Sequence, residues 1–439
     1  MSKQIVYKET NHFWFPLIPS NWDVIKLKWL AKIYSGGTPD KNKQEYWTDG
    51  TIPWLNSGSV NQYIITEPSA FITEEGLQKS SAKWIKKNSI LIALAGQGKT
   101  KGMSAILDFE ATCNQSLGVI SPLEHRIYSK YLLYFLTNNY SNIRGIAGES
   151  RDGLNLETIG NIKIHLPSLN TQTVISNFLD QKTQEIDSII TKKRKLIDCL
   201  KEERIEIINQ AVIGNLSNSA KKKLSGFDWV PKIPESWTTN KIKNIAKIFG
   251  RIGYRGYQTS DLVNEGEGAI TLSPSNMKEF EMDFTKCTYL SWLKYDESPE
   301  IQIEDGDILF VKTGSTYGKT SLVKNLPEKA TINPQLLVFK EVKINSEFFY
   351  FVLLSQLIQA QVSISVIGGT IPTISQEKIG NYYLFVPPIK EQDEIVELVN
   401  KHLEQTNLAI NKIEQEIDLI NEYRAALINE VVTGKITLN

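Results

Sequence analysis

The sequence predicts an α+β protein. Two tandem, strand-rich domains with some helix are separated by two long helices, which form an antiparallel coiled-coil-like pair with pseudo-two-fold symmetry. Three observations predict it: the second half of the chain repeats the first, each copy changes texture once from β-rich to helical, and each helical stretch carries one apolar stripe.

The repeat has an offset of about 215 to 220 residues, too long for a solenoid unit, so each copy is a domain in its own right. Trp14-Phe15-Pro16-Leu17-Ile18-Pro19-Ser20-Asn21-Trp22 is matched by Trp229-Val230-Pro231-Lys232-Ile233-Pro234-Glu235-Ser236-Trp237. Lys26, Lys28, Ala31, Lys32 and Ile33 recur as Lys241, Lys243, Ala246, Lys247 and Ile248. Ile159-Gly160-Asn161 recurs as Ile379-Gly380-Asn381, Pro167 as Pro387, and Gly214 as Gly434. Coincidence does not produce so many matches in one order.

The first part of each copy mixes short β-rich runs, such as 90–94 and 307–311, with Gly, Pro, Asn and Ser punctuation. Helix is expected at Lys130 to Leu136 and Ser346 to Gln361. After Pro167 and Pro387 the chain is charged and free of Gly and Pro until Gly214 and Gly434. Ile186, Ile190, Ile197, Leu200, Ile207 and Ala211 fall on one stripe, and Ile410, Ile413, Ile417, Ile420, Leu427 and Val431 on another. Proline before and glycine after are helix stop signs. Each helix would hold roughly 40 residues and span about 60 Å. A helix that long with one apolar face needs a partner, and the other copy's helix supplies one. Core helices inside two separate domains would carry similar stripes; the lack of breakers favours the pair. The expected divisions are 1–168, 169–216, 217–388 and 389–439.

Composition narrows the function. The chain has 439 residues, 41% hydrophobic and 22% charged, with 49 basic and 49 acidic side chains. That is ordinary globular composition, which excludes disordered and collagen-like classes. The apolar run from Phe348 to Ile358 is far short of the roughly 20 residues a membrane span needs. Met1-Ser2-Lys3-Gln4 leads into a polar stretch with no signal core. Cys113, Cys199 and Cys287 are scattered and odd in number, which points to a reducing cytoplasm. His12, His125, His165 and His402 lack metal-ligand spacing.

Catalytic motifs are missing or fail in context. Ala93-Leu94-Ala95-Gly96-Gln97-Gly98-Lys99-Thr100 fits a loose phosphate-loop pattern, but a real one opens a helix whose amides cradle phosphate. Here Lys101-Gly102-Met103-Ser104-Ala105-Ile106-Leu107 reads as another strand, and Gly314-Ser315-Thr316-Tyr317-Gly318-Lys319-Thr320 in the repeat has the wrong spacing. A glycine-rich loop between strands explains both copies better. Val386-Pro387-Pro388-Ile389 does not make an amino-methyltransferase motif, and no nuclease, Gly-x-Ser-x-Gly or His-Glu-x-x-His cluster is present. Basic and aromatic residues do interleave on glycine-rich segments, a chemistry suited to base edges and phosphates. Zero net charge does not exclude DNA, because the footprint is a local patch. The DNA-contact candidates are Gln97, Lys99, Lys101 and Arg151 in the first domain. In the second they are Arg251, Arg255, Lys312, Ser315, Tyr317 and Lys319.

The chain resembles the specificity (S) subunit of type I restriction–modification systems over nearly its whole length. The likeness rests on the Trp-x-Pro-x-Ile-Pro-x-x-Trp opening of each half, Ser35-Gly36-Gly37-Thr38-Pro39, Ile52-Pro53-Trp54 and the loops at Gly96 and Gly314. It continues through Asn114-Gln115, Asn333-Pro334-Gln335, Val386-Pro387-Pro388-Ile389-Lys390-Glu391-Gln392, Val212-Ile213-Gly214 and Val432-Thr433-Gly434. Two departures stand out: Thr171 occupies the place of Glu391, and Gly250-Arg251-Ile252-Gly253 that of Ser35 to Pro39.

The resemblance implies two target recognition domains, each reading one half of a bipartite double-stranded DNA site. The helices would set the spacer and dock two methyltransferase subunits, with restriction subunits able to join. It implies a non-catalytic cytoplasmic chain without cofactor, its partners using S-adenosylmethionine, ATP and Mg. The rival readings are a nucleotide-hydrolysing enzyme built on Ala93–Thr100 and a helical protein-binding adaptor.

Overall fold

The computed structural model describes residues 6–96, 98–146, 154–216, 221–251, 256–365 and 372–438. The chain forms two compact units, one of residues 1–193 with 415–439 and the other of residues 194–414.

In the first unit a five-stranded sheet has the order Ala31–Ser35, Leu117–Pro122, Ile90–Ala93, Ser104–Leu107, Ile64–Ile65, antiparallel except for the last pair. Ile90–Ala93 is buried along its whole length, so it reads as a continuous apolar run rather than an alternating one. Its side chains still alternate. Ile90 and Ile92 join a core with helix Ser129–Asn138, while Leu91 and Ala93 join a second core on the opposite face. A smaller sheet, Thr112–Cys113, Ile52–Leu55, Ala70–Ile72, lies alongside.

The second unit repeats this design. Lys247–Gly250, Leu336–Lys340, Ile308–Val311 and Thr320–Leu322 form an antiparallel sheet. Ile308 and Phe310 face one core, and Leu309 and Val311 the other. Ala330–Ile332, Gly268–Leu272, Tyr289–Ser291 and Leu262–Val263 make the second sheet.

The two long helices are Leu169–Val212 and Ile389–Val432, 44 residues each. Each contributes to both units. In the first unit Arg424 pairs with Asp187 at 2.8 Å and Lys193 pairs with Glu416, so one number falls as the other rises and the segments run antiparallel. In the second unit Ala211 and Gly214, at the end of the first helix, share a cavity with Pro388, Lys390 and Glu391 at the start of the second. Arg204 there bonds Asn407, again antiparallel. The stripe residues Ile186, Ile190, Ile197, Ile410, Ile413, Ile417, Leu427 and Val431 are buried; Leu200, Ile207 and Ile420 are half-buried, and the adjacent Ile208 is the residue sealed in the core.

Each helix start is held by a buried glutamine. Gln172 accepts from the Tyr128 amide at 2.8 Å and donates to the Pro167 carbonyl at 2.9 Å. Gln392 does the same with Asn345 and Pro387, both at 2.8 Å. Each helix ends at a glycine with positive φ, Gly214 at 72° and Gly434 at 73°. A Cβ at Gly214 would lie 2.4 Å from Pro234 Cγ, and one at Gly434 2.7 Å from Pro19 Cγ. The proline-tryptophan opening of each half is therefore the seat on which a helix end rests.

One expectation is corrected. Ser346 to Gln361 is not a single helix but Ser346–Leu354 and Gln356–Ser365, bent by 55°. Ser355 breaks it: its hydroxyl bonds back to the Val352 carbonyl at 2.6 Å, and Asn209 caps the new start at the Gln356 amide at 2.8 Å. Among the described residues no single helix is long and apolar enough to cross a membrane, and this bent pair contributes most of its apolar residues to the second unit's core.

Candidate nucleic-acid interface

The glycine-rich segments are hairpin loops. Residues 94–103 join the antiparallel strands Ile90–Ala93 and Ser104–Leu107, and residues 312–319 join Ile308–Val311 and Thr320–Leu322. A strand follows each one, where a phosphate loop would open a helix.

Hydrogen bonds fix the equivalence between the loops. The Gly102 amide reaches the Ala93 carbonyl at 2.9 Å, and the Gly318 amide reaches Val311 at 2.8 Å. The Met103 amide reaches Thr100 at 3.0 Å, and Lys319 reaches Thr316 at 3.1 Å. Gly102 and Gly318 have φ of 85° and 84°, a conformation glycine adopts without steric cost. Lys319 therefore stands in the place of Met103 rather than of Lys99, and the second loop is the shorter. Sequence matching alone aligns the two Gly-Lys-Thr triplets and misses this.

A second loop lies beside each hairpin. The Asn114 amide bonds the Leu55 carbonyl and the Asn333 amide the Leu272 carbonyl, both at 2.9 Å. Each asparagine side chain then accepts an amide two residues on, Ser116 at 3.1 Å and Gln335 at 3.0 Å. The turn clips to the hairpin base through Leu94 to Ser116 and Lys312 to Gln335, again both at 2.9 Å. A third segment closes the cluster. The Leu154 amide bonds the Leu94 carbonyl at 2.7 Å, and Ile374 bonds Lys312 at 2.9 Å. Each unit thus gathers three loops at one sheet end, on the same main-chain scaffold but with different side chains.

The Ser35 to Pro39 segment supports the first cluster. A Cβ at Gly36 would lie 1.9 Å from the Cys113 carbonyl oxygen, so only glycine lets the chain pass. The Gly37 carbonyl accepts from Trp54 Nε1 at 3.1 Å, and Thr38 Oγ1 meets Gln115 Oε1 at 2.7 Å.

Residues 19–198 and 234–419 both match the family described as type I restriction modification DNA specificity domain. The chain belongs to this family. It is 24% identical to the specificity subunit of type I restriction enzyme MjaIX of Methanocaldococcus jannaschii, covering 98% of this chain and 96% of that protein. It is 21% identical to the EcoKI specificity subunit of Escherichia coli strain K12, covering 96% of this chain and 90% of that one. Two solved structures share the fold. One, from work on complex assembly and conformational transition of the type I R-M system, has a TM-score of 0.65 at 15% identity, covering 95% of this chain and 99% of its own. The other, the HsdS subunit from Thermoanaerobacter tengcongensis, has a TM-score of 0.55 at 14% identity, covering 95% and 98%.

Within this type I specificity chain the candidate contacts separate by placement. Lys99 is exposed at the tip of the first loop, where Tyr140 donates to its carbonyl and Arg144 Nη1 lies 3.0 Å from the Tyr140 hydroxyl. Lys101 is half-exposed. Ser315 is exposed, and Tyr317 leans on the second unit's core. Lys312 is half-buried beside Gly250; burial pulls its ammonium below the ordinary lysine range, and among the described residues it has no acceptor. Gln97, Arg151 and Arg255 lie outside the described residues.

Two residues turn inward. Arg251 is 5% exposed; its Nε donates to the Ile332 carbonyl at 3.1 Å and its Nη2 to Thr331 at 3.0 Å, with the Tyr257 ring 5.4 Å from the guanidinium. It joins the two sheets instead of facing solvent, because the strand Lys247–Gly250 ends directly over the neighbouring sheet. Lys319 Nζ donates to the Met277 carbonyl. Asn114, Gln115, Thr38, Asn333 and Gln335 are polar groups at the clusters that basic-aromatic patterning misses; the signal for them was the recurrence of Asn with Gln in both copies. Among the described residues no group of three or more His, Cys, Asp or Glu could hold a metal ion.

Proposed function

We propose that this chain supplies DNA sequence specificity to a type I restriction–modification complex. Each three-loop cluster reads one half of a bipartite duplex site, and the helix pair sets the spacer between the halves and docks two methyltransferase subunits. The chain itself is non-catalytic and works in the cytoplasm; its partners bring S-adenosylmethionine and, where restriction subunits join, ATP and Mg. The carrying observation is one main-chain scaffold built twice with different side chains, which suits two different half-sites read in one geometry. Lys99, Lys101, Lys312, Ser315 and Tyr317, with Gln97, Arg151 and Arg255, are the proposed contacts.

The test is to purify the chain with its methyltransferase partner and follow methylation of duplexes in which only the spacer length varies. One preferred length is expected. Equal methylation at every length would contradict the reading.

A further inference from the structure

Each unit carries, at the same place in its β-rich domain, an aromatic residue in a conformation that bulky side chains avoid. Tyr63 has φ 59° with ψ −53°, and Phe280 has φ 64°, a positive φ that a bulky residue rarely adopts. Such a residue persists only where its surroundings over-determine it.

In the second unit the Phe280 ring lies over the Arg204 guanidinium, 4.8 Å from its centroid. Arg204 projects from the first long helix and is buried; it bonds Asn407 on the second helix and lies 3.9 Å from Glu279. Its Nε has no other partner among the described residues. In the first unit Tyr63, 39% exposed, lines a cavity with Thr137. Partial burial, then the Asp180 charge, push its hydroxyl up to about 12, while Arg424 draws it down. Arg424 is the repeat counterpart of Arg204 and pairs with Asp187, the counterpart of Asn407. The arginine with its helix partner occurs in both units, and the ring stacked over the guanidinium belongs to the second.

Each aromatic is also tied to the strand that leaves the glycine hairpin. The Tyr63 carbonyl accepts from the Ile106 amide at 3.0 Å, within Ser104–Leu107. The turn carrying Phe280 is closed by Lys278 to Glu281 at 2.9 Å. Its Met277 carbonyl takes the Lys319 ammonium, and its Glu281 carbonyl takes the Ser321 hydroxyl at 3.3 Å. In the second unit mechanical continuity therefore runs from helix arginine through aromatic to reading loop. The flanking sequences, Asn56 to Tyr63 and Ser273 to Phe280, share little else.

We propose that Tyr63 and Phe280 are positioning residues that lock the reading loops of each unit to the helix pair, so that spacer discrimination depends on them. The inference rests on the proposed function. Phe280→Gly removes the ring yet suits a positive φ, so the backbone is relieved rather than strained. Phe280→Tyr keeps the ring. The full chain with its methyltransferase partner is assayed on the preferred duplex and on duplexes one base pair shorter and longer.

For Phe280→Gly the complex still folds, with a melting temperature lowered by a few degrees at most, and the preferred duplex is still methylated. The rate ratio between preferred and altered spacers falls roughly tenfold or more, within what misplacement by about an ångström produces. Phe280→Tyr restores it, and Tyr63→Gly with Tyr63→Phe behaves likewise in the first unit. Undiminished discrimination in Phe280→Gly would overturn the proposal, as would loss of folding, which would make Phe280 a packing residue only. Absence of any spacer preference in the unchanged complex would instead sink the proposed function.

Discussion

The hydroxyl of Tyr131 lies 2.7 Å from Nδ1 of His165, and both side chains are fully buried. Phe135, Phe15 and Trp22 enclose the imidazole at ring distances of 4.9, 5.0 and 5.5 Å, and burial pulls its pKa down to about 3. The unfolded chain, titrating near 6.5, takes up a proton that the native state refuses. This contribution to stability is present above about pH 6.5 and is lost as pH falls towards 3, at about 1.4 kcal/mol per unit. In the repeat Phe348 and Phe385 stand at these positions. Thermal melts of the double variant Tyr131→Phe with His165→Phe are expected to flatten this acid dependence between about pH 6 and pH 4. An unchanged slope would assign it to other groups.

Gln392 ties the start of one helix to the start of another through two buried bonds. Gln392→Leu strands the Asn345 amide and the Pro387 carbonyl, at about 1–3 kcal/mol for each unpaired group. A fall in melting temperature of several degrees is expected, and Gln172→Leu should reproduce it in the first unit. Variants that melt like the parent would mean that water replaces the clamp.

Gly434→Ala combines two penalties. The left-handed backbone costs an L-residue roughly 1–2 kcal/mol, and the new Cβ meets Pro19 and Trp22 at 2.7 and 2.9 Å. Gly214→Ala faces the same conflict with Pro234 at 2.4 Å. Both are expected to lower the denaturation midpoint by more than the usual surface substitution, measured by urea titration.

Two cations separate contact from scaffold. Lys99→Ala is expected to weaken DNA binding evenly across sequences and to reduce the slope of log affinity against log salt by about one. Its melting temperature should not change, since the side chain is exposed. Arg251→Ala is expected to destabilise the second unit, because the Ile332 carbonyl and Thr331 hydroxyl lose buried donors. A salt-slope change without destabilisation in Arg251→Ala would return that residue to the DNA surface.

Periodicity and punctuation revealed much of this architecture. The seam of Ile186, Ile190, Ile410, Ile413 and Ile417 follows from helical spacing, and Gly214 and Gly434 from the need for a left-handed stop. These are local rules, so composition within a few turns suffices. The candidate interface was less legible. Lys319 and Lys99 both sit in Gly-Lys-Thr triplets, yet one is bound to Met277 and the other is exposed at a loop tip.

Read alone, the order of residues determined a duplicated chain with two breaker-free helices, because repetition and apolar period need no partner in space. Only the tertiary structure decided which cations reach outward, that Arg251 bridges two sheets, that Tyr63 and Phe280 take a positive φ, and that Phe280 stacks on a helix arginine. Those outcomes depend on which distant segments meet, and burial, hydrogen bonding and backbone strain are set by that meeting rather than by neighbours along the chain.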